Sequence, residues 1–116
     1  MSYAICSEVY FAKELTTKEQ PYYRFKIGET ENARRRNGQL YRDYDLCISL
    51  CAEVGGDKSY RLLLESFLRF YINNHYDCHL VGQDTFTTHN KKVMEQIEMD
   101  FFKIIEKFEK ILSEST

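Results

Sequence analysis

A chain of 116 residues holds one domain around a single core. Its 43% apolar and 29% charged residues exclude a disordered chain, and its net charge of -2 excludes whole-molecule attraction to nucleic acid. No apolar run approaches the roughly 20 residues of a membrane span, and Cys6, Cys47, Cys51 and Cys78, with no CxxC spacing and no secretory leader, give neither a zinc finger nor a disulfide framework and point to a reducing, cytoplasmic setting.

Residues 3–12 are apolar and β-branched enough for a strand, with Val9 and Phe11 on one parity and Tyr10 and Ala12 on the other. The charged connection from Lys13 to Pro21 reads as a loop. Tyr23, Phe25 and Ile27 then alternate with Tyr22, Arg24 and Lys26, a second strand closed by Gly28. A connection this short, without helical pattern, pairs the two strands antiparallel.

Thr30 is expected to cap a basic helix over 31–41, with Glu31 in its first turn and Gly38 weakening its end. A third strand is expected over 45–54, with Leu46, Ile48, Leu50 and Ala52 on one side, Cys47, Ser49, Cys51 and Glu53 on the other, and Gly55-Gly56 as its stop. The even spacing of Cys47 and Cys51 places them on the same face, as small buried hydrophobes.

Asp57 or Ser59 opens the next helix, in which Tyr60, Leu63, Leu64, Phe67 and Tyr71 line one face beside a stripe of Arg61, Glu65 and Arg69. It ends near Asn73-Asn74. Residues 75–87 read as irregular, with Asp84 as a turn cap. His75 and His79 have the i,i+4 spacing of helical metal ligands, but the asparagines before them argue against a helix there.

A long helix over 88–113 closes the chain. Its apolar positions Met94, Ile97, Phe101, Ile104, Phe108 and Ile111 are spaced 3-4-3-4-3, a seam that either packs on the sheet or joins a second copy or a protein partner. The order β-β-α-β-α-α predicts an α+β domain: a three-stranded antiparallel sheet flanked by helices, with a long C-terminal helix.

Chemistry gathers at the end of the second strand. Arg24, Lys26, Arg34, Arg35, Arg36 and Arg42 form a local basic cluster despite the acidic total. Cations beside a phosphodiester neutralise charge on its oxygens, and an arginine fork binds two of them at once. Tyr10 on the neighbouring strand can hold and polarise a water molecule. Glu65 is the carboxylate best placed to hold a hard cation; its alternative is an i,i±4 ion pair with Arg61 or Arg69.

These features resemble the GIY-YIG nuclease superfamily, in particular its small single-domain phage and bacterial members. Val9-Tyr10-Phe11 looks like the first half-motif and Phe25-Lys26-Ile27-Gly28 like the second. Arg36, eight residues past Gly28, matches the family's arginine, and Glu65 within LLLESFLRF matches its metal-binding glutamate. The stretch from Gly82 to Phe86 is similar to the segment after that helix. The chain departs from the pattern at Glu8-Val9, where a glycine precedes the tyrosine, at Lys26, where the second tyrosine usually stands, and at Leu40, where some members carry His or Tyr.

The resemblance implies a three-stranded sheet and Mg²⁺- or Mn²⁺-dependent hydrolysis of DNA. Its catalytic residues would be Tyr10, Lys26, Arg36 and Glu65, with Glu65 on the metal, and Arg24, Arg34, Arg35 and Tyr41 lie where they could contact substrate. The rival reading is a catalytically inactive module that keeps the shape, contacts backbone phosphates through the basic helix, and dimerises or docks on a protein through the helix over 94–111.

Overall fold

The computed structural model describes residues 8–15, 19–54 and 57–115. The expected start of the first strand, Cys6 and the Gly55-Gly56 stop lie outside the described residues. The elements are β1 (Glu8–Glu14), β2 (Tyr23–Thr30), α1 (Ala33–Tyr44), β3 (Leu46–Glu53), α2 (Lys58–His75), β4 (His79–Val81), β5 (Thr85–Thr88) and α3 (Lys91–Glu114).

The sheet has five strands in the order β3-β1-β2-β5-β4, all antiparallel, which overturns the expected three. The two additional strands lie in the stretch read as irregular. They are too short to show a period, and tertiary contacts hold them. Phe86 of β5 pairs with Phe25 of β2 and stacks on it at 4.9 Å between ring centres, while Phe25 in turn stacks on Phe11 at 5.6 Å. Such rings bury a large apolar area at little cost in ordering. Gly82, at φ 76, takes the left-handed backbone that the β4–β5 turn needs.

The sheet is covered on both faces. Val9, Phe11, Phe25 and Ile27 point to one side, where Leu64, Leu68 and Ile72 of α2 and Met94, Ile97, Phe101, Ile104, Ile105 and Phe108 of α3 complete the larger core. Tyr10 and Ala12 point to the other, where Leu40 of α1 and Leu46 of β3 bury them. β1 is therefore buried on both parities, as a central strand is. Most of the C-terminal seam is consumed by this core; Ile111, at its end, is half exposed.

One irregularity redistributes β3. Phe11 pairs with Leu50 but Ala12 with Ile48, so Ser49 is an extra, bulged residue. Leu46 and Ile48 consequently join the α1 side while Leu50 and Ala52 pack on the α2/α3 side, so the single apolar parity expected of this strand is split. The same bulge puts Cys51, opposite Tyr10, on the α1 face and Cys47, opposite Lys13, on the other. Ser49 Oγ and Lys13 Nζ both donate to the Glu98 carboxylate, at 2.6 and 2.9 Å, tying α3 to the sheet.

The helix caps also shift. Asn32, not Thr30, caps α1, its Oδ1 accepting from Arg35 N at 3.0 Å, because Thr30 is still in β2. α1 runs through Gly38 to Tyr44, three residues further than expected, and ends on Asp45 at φ 57. Asp57 caps α2 through Tyr60 N. Of the expected α2 face, Leu64 is buried and Tyr60, Phe67 and Tyr71 pack against the core, but Leu63 is 54% exposed, and Leu68, Ile72, Arg61 and Glu65 are buried as well.

Candidate active site

β5 pairs with β2 only from Tyr23 to Lys26, with Ile27 N donating to Asp84 O at 3.3 Å as the last bond. Beyond it, Gly28 to Thr30 form an outer sheet edge that no described strand covers. α1 departs from this edge on one face and the first half of α2 lies against it on the other. The split between the two faces is what lets groups from four elements meet there.

Tyr10 reaches the edge from the neighbouring strand. It pairs with Gly28, and its phenol lies across that residue, where a Cβ would meet ring atom Cε2 at 2.8 Å. The side chain is 0% exposed, and its hydroxyl is the one buried side-chain polar atom among the described residues without a hydrogen-bond partner. Such an atom carries a desolvation cost that a ligand or water would relieve. Burial pushes the phenol up to about 12; Arg36 opposes the shift, and Asp84, Glu65 and Glu29 add to it. Tyr10 is therefore neutral at physiological pH, and those four charges lie within electrostatic reach of its hydroxyl.

Glu65 is 8% exposed, on the same helical stripe as Leu68 and Ile72. Burial raises its pKa; the ion pair with Arg69, one turn on, opposes the rise, and Glu29 and Asp84 reinforce it. Glu29 and Asp84 thus lie within electrostatic reach of Glu65 at this junction, and each of the three carboxylates has its own cation: Arg69 for Glu65, Arg61 for Glu29 at 3.3 Å and Lys26 for Asp84 at 2.8 Å. Arg61, only 3% exposed, also reaches Glu31 at 3.2 Å.

Arg36 differs from those cations. Its Nη1 donates to the neutral amide oxygen of Gln39 at 3.4 Å, and among the described residues no carboxylate lies within ion-pair distance. It lines a cleft of about 400 Å³ with Glu29, Thr30, Glu31, Asn32, Arg35, Gln39 and Lys58. Every residue lining the cleft is polar or charged, and it lies at the N-terminus of α1.

Arg36 and Glu65 each lie within electrostatic reach of the Tyr10 hydroxyl, as does Asp84, which holds Lys26; of Tyr10, Lys26, Arg36 and Glu65, only Arg36 lines the cleft. Arg35 lines the cleft. Arg34 and Tyr41 are exposed on α1 outside its lining, and Arg24 lies toward the far end of β2, held by Glu14 at 3.4 Å and the Tyr44 carbonyl at 3.0 Å. His75 ends α2 and His79 lies in β4, so the pair does not share a helix.

Sequence reasoning did not assign Asp84, Glu29 or Lys58 to the site and placed Arg61 only in a helix-surface pair. Arg61 left a signal: positions 61, 65, 68 and 72 form one i,i+4,i+7,i+11 stripe, which marks Arg61 and Glu65 as core-facing ionic groups. Asp84 left none, since its partner lies on another strand.

A hard cation fits the junction in one respect, the donor chemistry. Mg²⁺ is commonly held by one or two carboxylates with water completing its shell, and Glu65 is a buried carboxylate repelled by two others beside an unsatisfied hydroxyl. Among the described residues no three His, Cys, Asp or Glu side chains form a ready-made cage. No helix among them is long and apolar enough to cross a membrane.

No family model, curated protein or solved structure matches this chain.

Proposed function

We propose that this protein is a metal-dependent endonuclease that hydrolyses DNA phosphodiester bonds, in the manner of the GIY-YIG enzymes its motifs resemble. The observation that carries the reading is the unpartnered, buried Tyr10 hydroxyl within electrostatic reach of Arg36, which has no carboxylate partner among the described residues, and of the Glu65 carboxylate. A buried hydroxyl without a partner calls for an explanation, and a water molecule held there for the reaction supplies one.

In this reading the DNA backbone enters the cleft lined by Arg35, Arg36 and Lys58, whose charges are drawn to phosphate. Tyr10, neutral and fixed across Gly28, orients the attacking water by hydrogen bonding. Arg36 stabilises the charge that develops on the phosphate oxygens. Lys26, held by Asp84 in the free protein, serves as a cation, and the proton of the attacking water passes to solvent. Glu65 would hold the Mg²⁺ or Mn²⁺ ion, which when bound supplies positive charge for a phosphate oxygen and for the leaving oxygen.

The Glu65–Arg69 ion pair favours a second reading, in which Glu65 is a structural anion and the domain binds nucleic acid without cutting it. Incubating supercoiled and branched DNA with the protein in Mg²⁺, Mn²⁺ or EDTA separates the two. Nicking that requires metal and disappears in both Glu65→Ala and Arg36→Ala is expected. Folded protein that binds but cuts no substrate would leave the binding module.

A further inference from the structure

Of the three carboxylate–cation pairs at the junction, Lys26–Asp84 is the one in which neither partner belongs to a helix. Lys26 lies on the α1 face of the sheet, its Nζ 2.8 Å from Asp84 Oδ2 and 5.8 Å from the centre of the Tyr44 ring. The backbones of the two residues are locked together: Lys26 pairs with Thr85, and Asp84 O accepts from Ile27 N. Their separation can therefore change only through side-chain rotation.

The two side chains are not equally covered. Lys26 is 13% exposed and Asp84 35%, so the carboxylate is the more solvent-accessible member of the pair and restricts approach to the ammonium. Thr85 Oγ1 lies within weak hydrogen-bond range of the other carboxylate oxygen, at 3.4 Å. The same Asp84 charge is felt at the Tyr10 hydroxyl and at Glu65. A carboxylate oxygen on a lysine ammonium occupies the position that a phosphate oxygen would take, since an ammonium binds either as a compact point charge.

We infer that Asp84 is an internal stand-in for substrate phosphate: it occupies Lys26 in the free protein and is exchanged for a backbone phosphate oxygen when a nucleic-acid strand enters. The inference rests on the nucleic-acid substrate of the proposed function. It gives Asp84 a role in substrate selection. A ligand must offer Lys26 an anion at least as well placed as the carboxylate it displaces, and the turn holding Asp84 need not unfold for the exchange.

The test is binding of a short fluorescein-labelled DNA duplex in EDTA, across a salt series, so that no cleavage intervenes. Asp84→Asn is expected to bind about two- to fivefold tighter than wild type, the range of one partly exposed ion pair. Its salt dependence should steepen by about one released counterion. Lys26→Gln should bind more weakly than wild type, and Lys26→Gln/Asp84→Asn should match Lys26→Gln alone. Asp84→Asn that is folded by thermal melt but binds no tighter overturns the inference, as does a gain that persists without Lys26, because that would be a general charge effect. If Asp84→Asn does not fold, Asp84→Ser is read by the same criteria. Wild-type protein that binds no duplex at any salt overturns the nucleic-acid reading as well, whereas wild-type binding without the Asp84 effect overturns this inference alone.

Discussion

Tyr10 and Gly28 face each other across the β1–β2 ladder, with the phenol lying where a Gly28 side chain would be. Gly28 is thus required for its missing Cβ and not for backbone freedom. Gly28→Ala forces the ring aside and is expected to destabilise the domain by about 1 to 3 kcal/mol, the usual cost of overpacking. Thermal unfolding measures that loss, and the Gly28→Ala protein should also lose cleavage even where it remains folded.

Tyr10→Phe keeps the ring and removes the orphaned hydroxyl. A buried polar atom without a partner costs free energy, so this variant should be as stable as wild type or more stable by about 1 kcal/mol. Cleavage should fall by about 100-fold, within the range for a group that handles the attacking water. Paired denaturation and cleavage assays test the two directions together, and lost stability with full activity would contradict this role for the hydroxyl.

Glu65 gives a pH signature. Burial raises its carboxyl pKa in the folded protein, with Glu29 and Asp84 adding to the shift and Arg69 resisting it. The folded state therefore holds this proton more tightly than the unfolded chain. The associated stability is fully present below the ordinary carboxylate pKa and is lost as pH rises through the folded value. Glu65→Gln should accordingly melt higher than wild type at neutral pH, with the gain disappearing in acid. Mg²⁺ at a hundred times its Kd should stabilise wild type by about 2.7 kcal/mol and leave Glu65→Gln unchanged.

Arg36 has a neutral partner at 3.4 Å and no role in either core. Arg36→Ala should change stability by less than about 0.5 kcal/mol. Its cleavage rate should drop by about 100- to 1,000-fold, as expected when a donor to developing charge is removed. A melt combined with single-turnover kinetics separates this outcome from a folding defect.

Arg61 should behave in the opposite way. It is nearly fully buried and holds Glu29 and Glu31 at the cleft wall, so Arg61→Met strands carboxylates beside Glu65. A loss of about 2 kcal/mol is expected, part of which Arg61→Met/Glu29→Gln should restore by removing the stranded charge. Urea unfolding of both variants measures the difference.

The sequence by itself determined the elements long enough to display a period. β1, β2 and β3 alternate, α2 and α3 carry apolar stripes, and the β1–β2 hairpin follows from a short connection without a helix. Tyr10 and Glu65 were also legible as candidates from strand parity and helix stripe, whereas Arg36 was picked out of its basic cluster by the motif resemblance alone. Tertiary structure decided the rest. β4 and β5, three and four residues long, are strands only because Phe86 stacks on Phe25, and the Ser49 bulge divides one apolar alternation between two cores. It also decided the ion pairs: Lys26 meets Asp84 across the β2–β5 ladder, and Arg61 meets Glu29 between helix and sheet. Local periodicity follows from backbone geometry within one element and is written in neighbouring residues, whereas charge pairing and strand addition depend on which surfaces the folded chain brings within a few ångströms.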